Sequence, residues 1–317
     1  MELVEENDMT KRPLNIVSVS GGKDSTALYL LCMEYLGNDF LPIFADTGHE
    51  HPVTVNYAKN LSYMTGGPEV VVVKPDFSKA IERKRLRLLE FAEKSESEEE
   101  RQMYLRRATK CYPTGNGMHD LVIWKGRAPS ARAQFCTENL KLWPILFYLE
   151  KNYPQDQYEW NMFTGLRAGE SLARSKKQPF MWNTFFDCLN VCPLLYESEE
   201  TVFYLHHQHK VNPNPLYMLG GASRVGCYPC IHSNKNELRN LEEWAWDRLK
   251  SYEESVDRTW FAPDQMPMPN GKLPQVENVK EWVQTSRGGK QFDLFLQAEF
   301  YQKEEIPSCM SAFMKCE

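Results

Sequence analysis

A chain of 317 residues, 42% of them hydrophobic, is long enough to bury one large core or two smaller ones, and its 37 basic against 43 acidic side chains give a net charge of −6. That balance excludes a chain-wide electrostatic grip on nucleic acid and leaves only a local basic groove for such a partner. No run approaches the roughly twenty apolar residues that span a bilayer, and the opening Met1–Ser20 segment has neither the basic start nor the apolar core of a secretory signal, so a cytoplasmic protein without a membrane role is expected.

The first element is the apolar, β-branched run Leu14–Ser20, which reads as a buried strand stopped by Gly21 and Gly22. Asp24–Leu36 then carries apolar residues at helical spacing. Leu41–Ala45 and Glu69–Lys74 are further strand candidates, with a helix-compatible stretch, Val53–Met64, between them. This alternation predicts an α/β fold, a doubly wound, mostly parallel sheet. Glu82–Lys110 is dense in charge and helix formers with a break at Ser95–Ser97, and is expected to be a solvated helical hairpin inserted at about 78–118. Trp160–Thr164 is a further strand and Glu197–His209 a helix. Beyond Asn212 the chain turns rich in Pro, Gly, Cys and Trp, so a nucleotide-binding domain over 1–220 and a looser cysteine-containing module over 221–317 are expected.

Ser20-Gly21-Gly22-Lys23-Asp24-Ser25 stands where the first strand hands over to a helix. Two glycines let the backbone turn tightly and bring N–H groups to an anion, and the helix N-terminus favours negative charge. Ser18, Ser20 and Ser25 add hydroxyls, Lys23 can neutralise phosphate, and Asp24 can hold Mg²⁺ or cap the helix. The spacing is not that of a Walker A loop. Asp46 and Thr47 end the second strand at the same sheet edge. Gly165, Arg167 and Arg174 follow the later strand, where open α/β sheets bind ligands, and bidentate guanidinium suits phosphate or sulfate. Lys141 and Arg132 are weaker cation candidates.

The loop SGGKDS resembles the phosphate loop of the adenine-nucleotide α-hydrolase superfamily, and the rest of the chain resembles its 3′-phosphoadenylylsulfate (PAPS) reductase family. The resemblance rests further on Phe44–His49, Cys136–Lys141, Gly165–Ser171 with Arg174, Pro193–Ser198, Asn214–Tyr217 and Arg224–Cys230. It implies an adenine nucleotide ligand, ATP or PAPS, with Mg²⁺, and supports Arg167, Arg174 and Asp46 as nucleotide contacts.

The chain has nine cysteines, and in a reducing compartment close pairs are metal or redox candidates rather than disulfides. Cys227 and Cys230 form a C-x-x-C knuckle. The resemblance implies a [4Fe–4S] cluster on this knuckle with Cys136, zinc being the alternative. The family's cluster-bearing reductases have paired upstream cysteines, whereas position 135 is Phe, so a fourth ligand comes from elsewhere, with Cys309 or Cys316 in the tail as candidates. The reductases' C-terminal Glu-Cys-Gly-Leu-His element is also absent. An enzyme that cleaves ATP at its α-phosphate, adenylates an acceptor and transfers sulfur is therefore the first expectation. A thiol-dependent PAPS or adenylylsulfate reductase using Cys309 or Cys316, and a non-catalytic nucleotide sensor, are the alternatives. Expected partners are a nucleic-acid acceptor and a sulfur-donor protein, a cysteine desulfurase or thioredoxin-like protein, with a homodimer as a further open reading.

Overall fold

The computed structural model describes residues 11–219, 224–263, 266, 268 and 271–285. Six strands form one sheet: β1 (Arg12–Val19), β2 (Leu41–Ala45), β3 (Val71–Val73), β4 (Tyr158–Phe163), β5 (Phe180–Asn183) and β6 (Cys188–Val191), in the order β3-β2-β1-β4-β6-β5. Every neighbouring pair is parallel except β5 with β6. The chain steps from β1 to β2 and β3 on one side, then returns to lay β4 and β6 on the other. The order therefore reverses between β1 and β4, the place where the loops leaving adjacent strands diverge and open a crevice.

Parallel strands are buried on both faces, and β1 shows it residue by residue. Ile16 and Val17 are both fully buried and point to opposite sides, each into its own core. On Val17's side lie Ala27, Leu28 and Leu30 of the helix Lys23–Leu36 and Val202 of the helix Glu199–Gln208. On Ile16's side lie Ile145 and Leu149 of the helix Trp143–Asn152.

A third core lies away from the sheet. The charged segment forms the helices Ser78–Lys94 and Glu98–Ala108, broken at Ser95–Ser97 as the serines predict. Its sparse apolar stripe, Ile81 and Leu88, does not face solvent. It packs with Met118 and Leu121 of the helix Gly117–Lys125, with Trp246, Leu249 and Tyr252 of the helix Glu243–Val256, and with Val279 and Val283 of the helix Val276–Val283. Each such side chain contributes about 1.5–3 kcal/mol by leaving water. The C-terminal segment carries the helices Lys235–Arg239, Glu243–Val256 and Val276–Val283 between irregular stretches, and it shares a core with the insertion. Among the described residues no helix is long and apolar enough to cross a membrane.

Candidate functional site

The crevice at the β1/β4 reversal is a cavity of about 580 Å³. One end is built from the loop that follows β1. Gly21 sits at φ +75°, and a Cβ there would stand 2.9 Å from Thr54 Cγ2 and 3.0 Å from the Thr54 carbonyl oxygen, so only glycine makes this turn. Hydroxyls lock the turn: the Ser20 N–H donates to Ser25 Oγ at 3.1 Å, and Ser25 Oγ and Thr26 Oγ1 donate to the Gly22 carbonyl at 3.1 and 3.0 Å. Gly165, the residue after Thr164 at the end of β4, backs onto it, since a Cβ there would lie 2.8 Å from the Asp24 carbonyl oxygen.

Two residues beyond the loop brace it from behind. Asn214 Nδ2 donates to the Gly21 carbonyl at 2.9 Å, and the Tyr217 hydroxyl accepts the Lys23 N–H at 3.2 Å. Burial pushes the Tyr217 phenol up to about 12, so it remains a protonated hydroxyl. His206 is 1% exposed, with its two ring nitrogens 2.9 Å from the Lys23 carbonyl and 3.1 Å from that of Val211. Burial holds its imidazole below the usual value against the pull of those two carbonyls.

Asp24 is buried beside the turn. Arg167 Nε donates to its Oδ1, while Oδ2 is buried without a hydrogen bond and lies 3.5 Å from Lys23 Nζ. Lys23 also stands 3.3 Å from Glu199, and Arg174 pairs with Glu170. Lys23, Arg167 and Arg174 are therefore engaged with carboxylates and do not line the cavity. Among the described residues the lysine and arginine on its wall are Lys141 and Arg224. Lys141 is carried there by a π-helical turn, Glu138–Leu142, a distortion of the kind that re-aims a side chain at sites. Asp46 also faces elsewhere, 2.9 Å from Lys74, and Thr47 donates to Glu50 at 2.7 Å. Glu50 does reach the cavity. Burial raises its carboxyl above the usual range, with nearby Lys141 opposing.

The other end is the knuckle. Cys227 and Cys230 line the cavity, and their backbone is tied to the loop after β2. Glu50 bridges Cys227 in antiparallel fashion, the Tyr228 N–H donates to the His49 carbonyl at 2.7 Å, and His49 Nε2 is 3.0 Å from the Pro229 carbonyl. Arg248 donates to the carbonyls of His49 at 3.2 Å, Glu50 at 3.4 Å and Tyr228. His49 itself is buried against Tyr252 and Trp260.

The structure thus brings Ser18, Ser20, Gly22, Asp24, Ser25, Lys141, Gly165, Cys227 and Cys230 to one cavity. Cys136 instead packs in the third core, 8% exposed, and among the described residues no three His, Cys, Asp or Glu side chains gather closely enough to hold a metal ion. The described donors of the knuckle therefore do not complete a cluster site. Cys309 and Cys316 lie outside the described residues. Trp246 and Trp260 are core residues, and Cys32 is buried on the inner face of the helix Lys23–Leu36. Sequence reading missed Glu50, Arg224, Asn214, Tyr217, His206 and Arg248. For Asn214, Tyr217 and Arg224 the signal was present, since they stand in the segments that carry the family resemblance.

Residues 15–233 match the model of the phosphoadenosine phosphosulfate reductase domain. An uncharacterized 37.8 kDa protein of Escherichia phage 186 is 36% identical over 323 aligned positions, covering 92% of this chain and 94% of its own. The adenosine 5′-phosphosulfate reductase of Allochromatium vinosum is 31% identical over 133 residues, 42% of this chain and 49% of that enzyme. The crystal structure of a Candida auris PAPS reductase, in complex with phosphate, matches with a TM-score of 0.43 and 16% identity, covering 69% of this chain and 83% of that one. The chain belongs to the phosphoadenosine phosphosulfate reductase domain family.

Proposed function

We propose that this protein is an adenine-nucleotide enzyme of sulfur chemistry that cleaves ATP at the α-phosphate. In this reading an acceptor oxygen attacks the α-phosphorus, pyrophosphate leaves, and a sulfur nucleophile then displaces AMP from the adenylated acceptor. The single observation that carries it is that a turn shaped for an anion and a pair of thiols share one cavity.

The turn's remaining amides and the Ser20 hydroxyl receive the phosphates, with Lys141 and Arg224 facing the charge that develops on them. Arg167 fixes Asp24. Asp24 Oδ2, ion-paired with Lys23 but without a hydrogen bond, suits a hard cation, and Mg²⁺ bound there would neutralise phosphate charge. Cys227 and Cys230 deliver or relay the sulfur. A metal or cluster on them would draw its remaining ligands from the tail cysteines Cys309 and Cys316, since Cys136 packs in the third core. A nucleic-acid acceptor, a sulfur-donor protein and a homodimer belong to the same proposal.

The test is pyrophosphate and AMP release from ATP with Mg²⁺, a sulfur source and candidate acceptors. Release of neither would sink the reading. The similarity to an adenosine 5′-phosphosulfate reductase favours a second one, sulfonucleotide reduction with sulfite release. That reaction leaves a thiosulfonate on Cys309 or Cys316, visible by intact mass, and an unmodified tail rules it out. Anaerobic purification with iron and zinc analysis decides the knuckle's occupant.

A further inference from the structure

The two ends of the cavity differ in charge. The loop end holds the helix N-terminus, while Lys141 lies near Glu50, which pairs with Cys227. The wall from Cys227 to Glu242 carries no lysine or arginine and has two carboxylates, Glu237 and Glu242. Those carboxylates serve the protein itself: Glu237 Oε2 accepts the Asn234 N–H at 3.0 Å, while Glu242 lies 2.9 Å from His51 and accepts the Trp244 indole N–H at 2.6 Å. The hydrogen bonds from His51 and Trp244 hold the Glu242 carboxyl below its usual value, so a second phosphate is disfavoured at this end.

What this wall offers is neutral. Asn236 and Asn240, four residues apart and exposed, make no side-chain hydrogen bond among the described residues. His232 Nε2 is buried on the same wall and also lacks a partner among the described residues, a state that costs free energy until a ligand supplies one. Pro229, Leu241 and the Tyr228 ring add apolar surface between them. A primary amide presents a donor and an acceptor side by side, which matches a heterocycle edge bearing the complementary pair and matches a phosphate poorly.

We infer that the knuckle end of the cavity receives the acceptor as a neutral heterocycle with adjacent donor and acceptor atoms, a nucleobase edge, held by Asn236 and Asn240 against the Tyr228–Pro229 surface. This assignment rests on the proposed occupation of the loop end by ATP and names the class of the second substrate.

The experiment is calorimetry on the full chain saturated with a non-hydrolysable ATP analogue, titrated separately with the four ribonucleosides and with inorganic triphosphate. At least one nucleoside binds and triphosphate does not. Asn236→Leu and Asn240→Leu each weaken the nucleoside by about tenfold or more and leave the analogue's affinity unchanged. Asn236→Asp, which keeps the shape but loses the donor, gives the same loss, and thermal melting of each variant confirms folding. The inference is overturned if no nucleoside binds the loaded protein, if the variants bind it as the unsubstituted chain does, or if they weaken the analogue, which would place its own adenine on this wall. Failure of the analogue to bind the unsubstituted chain would remove the loop-end reading as well, so the two failures are told apart.

Discussion

The two ends of the cavity are held in place by different means. The phosphate turn is set by backbone geometry: a buried strand, a glycine at positive φ and a helix start, with Gly165 pressed against it from β4. The knuckle has no strand or helix of its own over Cys227–Cys230, and its position depends on side chains that grip carbonyl oxygens, above all Arg248. A site of the first kind tolerates changes in its surroundings but not in its glycines. One of the second kind can be released by a single distant substitution.

Arg248→Met tests this difference most severely. It keeps the length of the stem but removes the guanidinium that lies over Trp244 and leaves three carbonyls without their charged donor, and a loss of about 3 kcal/mol of stability is expected, read by chemical denaturation. Thiol labelling of Cys227 and Cys230 should accelerate while nucleotide affinity at the loop barely changes. Equal labelling rates would mean that the knuckle holds itself. Gly165→Ala is the mirror experiment. Its Cβ would collide with the Asp24 carbonyl at a cost of about 1–3 kcal/mol, and the displaced turn should lose nucleotide binding in calorimetry while the thiols react as before.

Tyr217→Phe removes the acceptor of the Lys23 N–H and should cost about 1 kcal/mol, seen as a roughly fivefold weaker nucleotide. Unchanged affinity would show that the turn needs no brace from behind. The smallest effect comes from acid. His206 has its folded value depressed, so the unfolded chain binds the extra proton first. The stability it lends is complete above the ordinary histidine value near 6.5 and is lost as pH falls from there toward the folded value. The protein should therefore lose stability as pH falls below about 6.5, and His206→Gln should flatten that part of the melting-temperature profile. A profile unaltered by the substitution would assign the acid sensitivity elsewhere.

The same contrast explains what could be read in the sequence. The parallel strands announced themselves as short β-branched runs, and Leu41–Ala45 was found with its bounds intact, because burial on both faces leaves an uninterrupted apolar stretch. The turn was legible because glycines and hydroxyls at one junction have few other uses. β5 and β6 were missed, since Phe180–Asn183 and Cys188–Val191 are four residues each and are joined by a tight turn. The pairing of Lys23 and Arg167 with Asp24 was also invisible, because sequence reports a charge but not which opposite charge the fold will bring to it. Arg248 lies about twenty residues beyond the knuckle it holds, and no spacing rule connects them.

The third core has a consequence for how the molecule can vary. The hairpin helix Ser78–Lys94 and the distal helix Glu243–Val256 both pack on the helix Gly117–Lys125, so Ile81, Leu88, Leu249 and Tyr252 share one core with Met118 and Leu121. Removing the chain from Glu243 onward would bare apolar side chains of the helix Gly117–Lys125, and excising the hairpin would bare others on the same helix. Deletion of both together would still bare Met118 and Leu121 and would take away Arg248, which holds the knuckle, so engineered minimal variants should keep the hairpin and the distal helices as a unit.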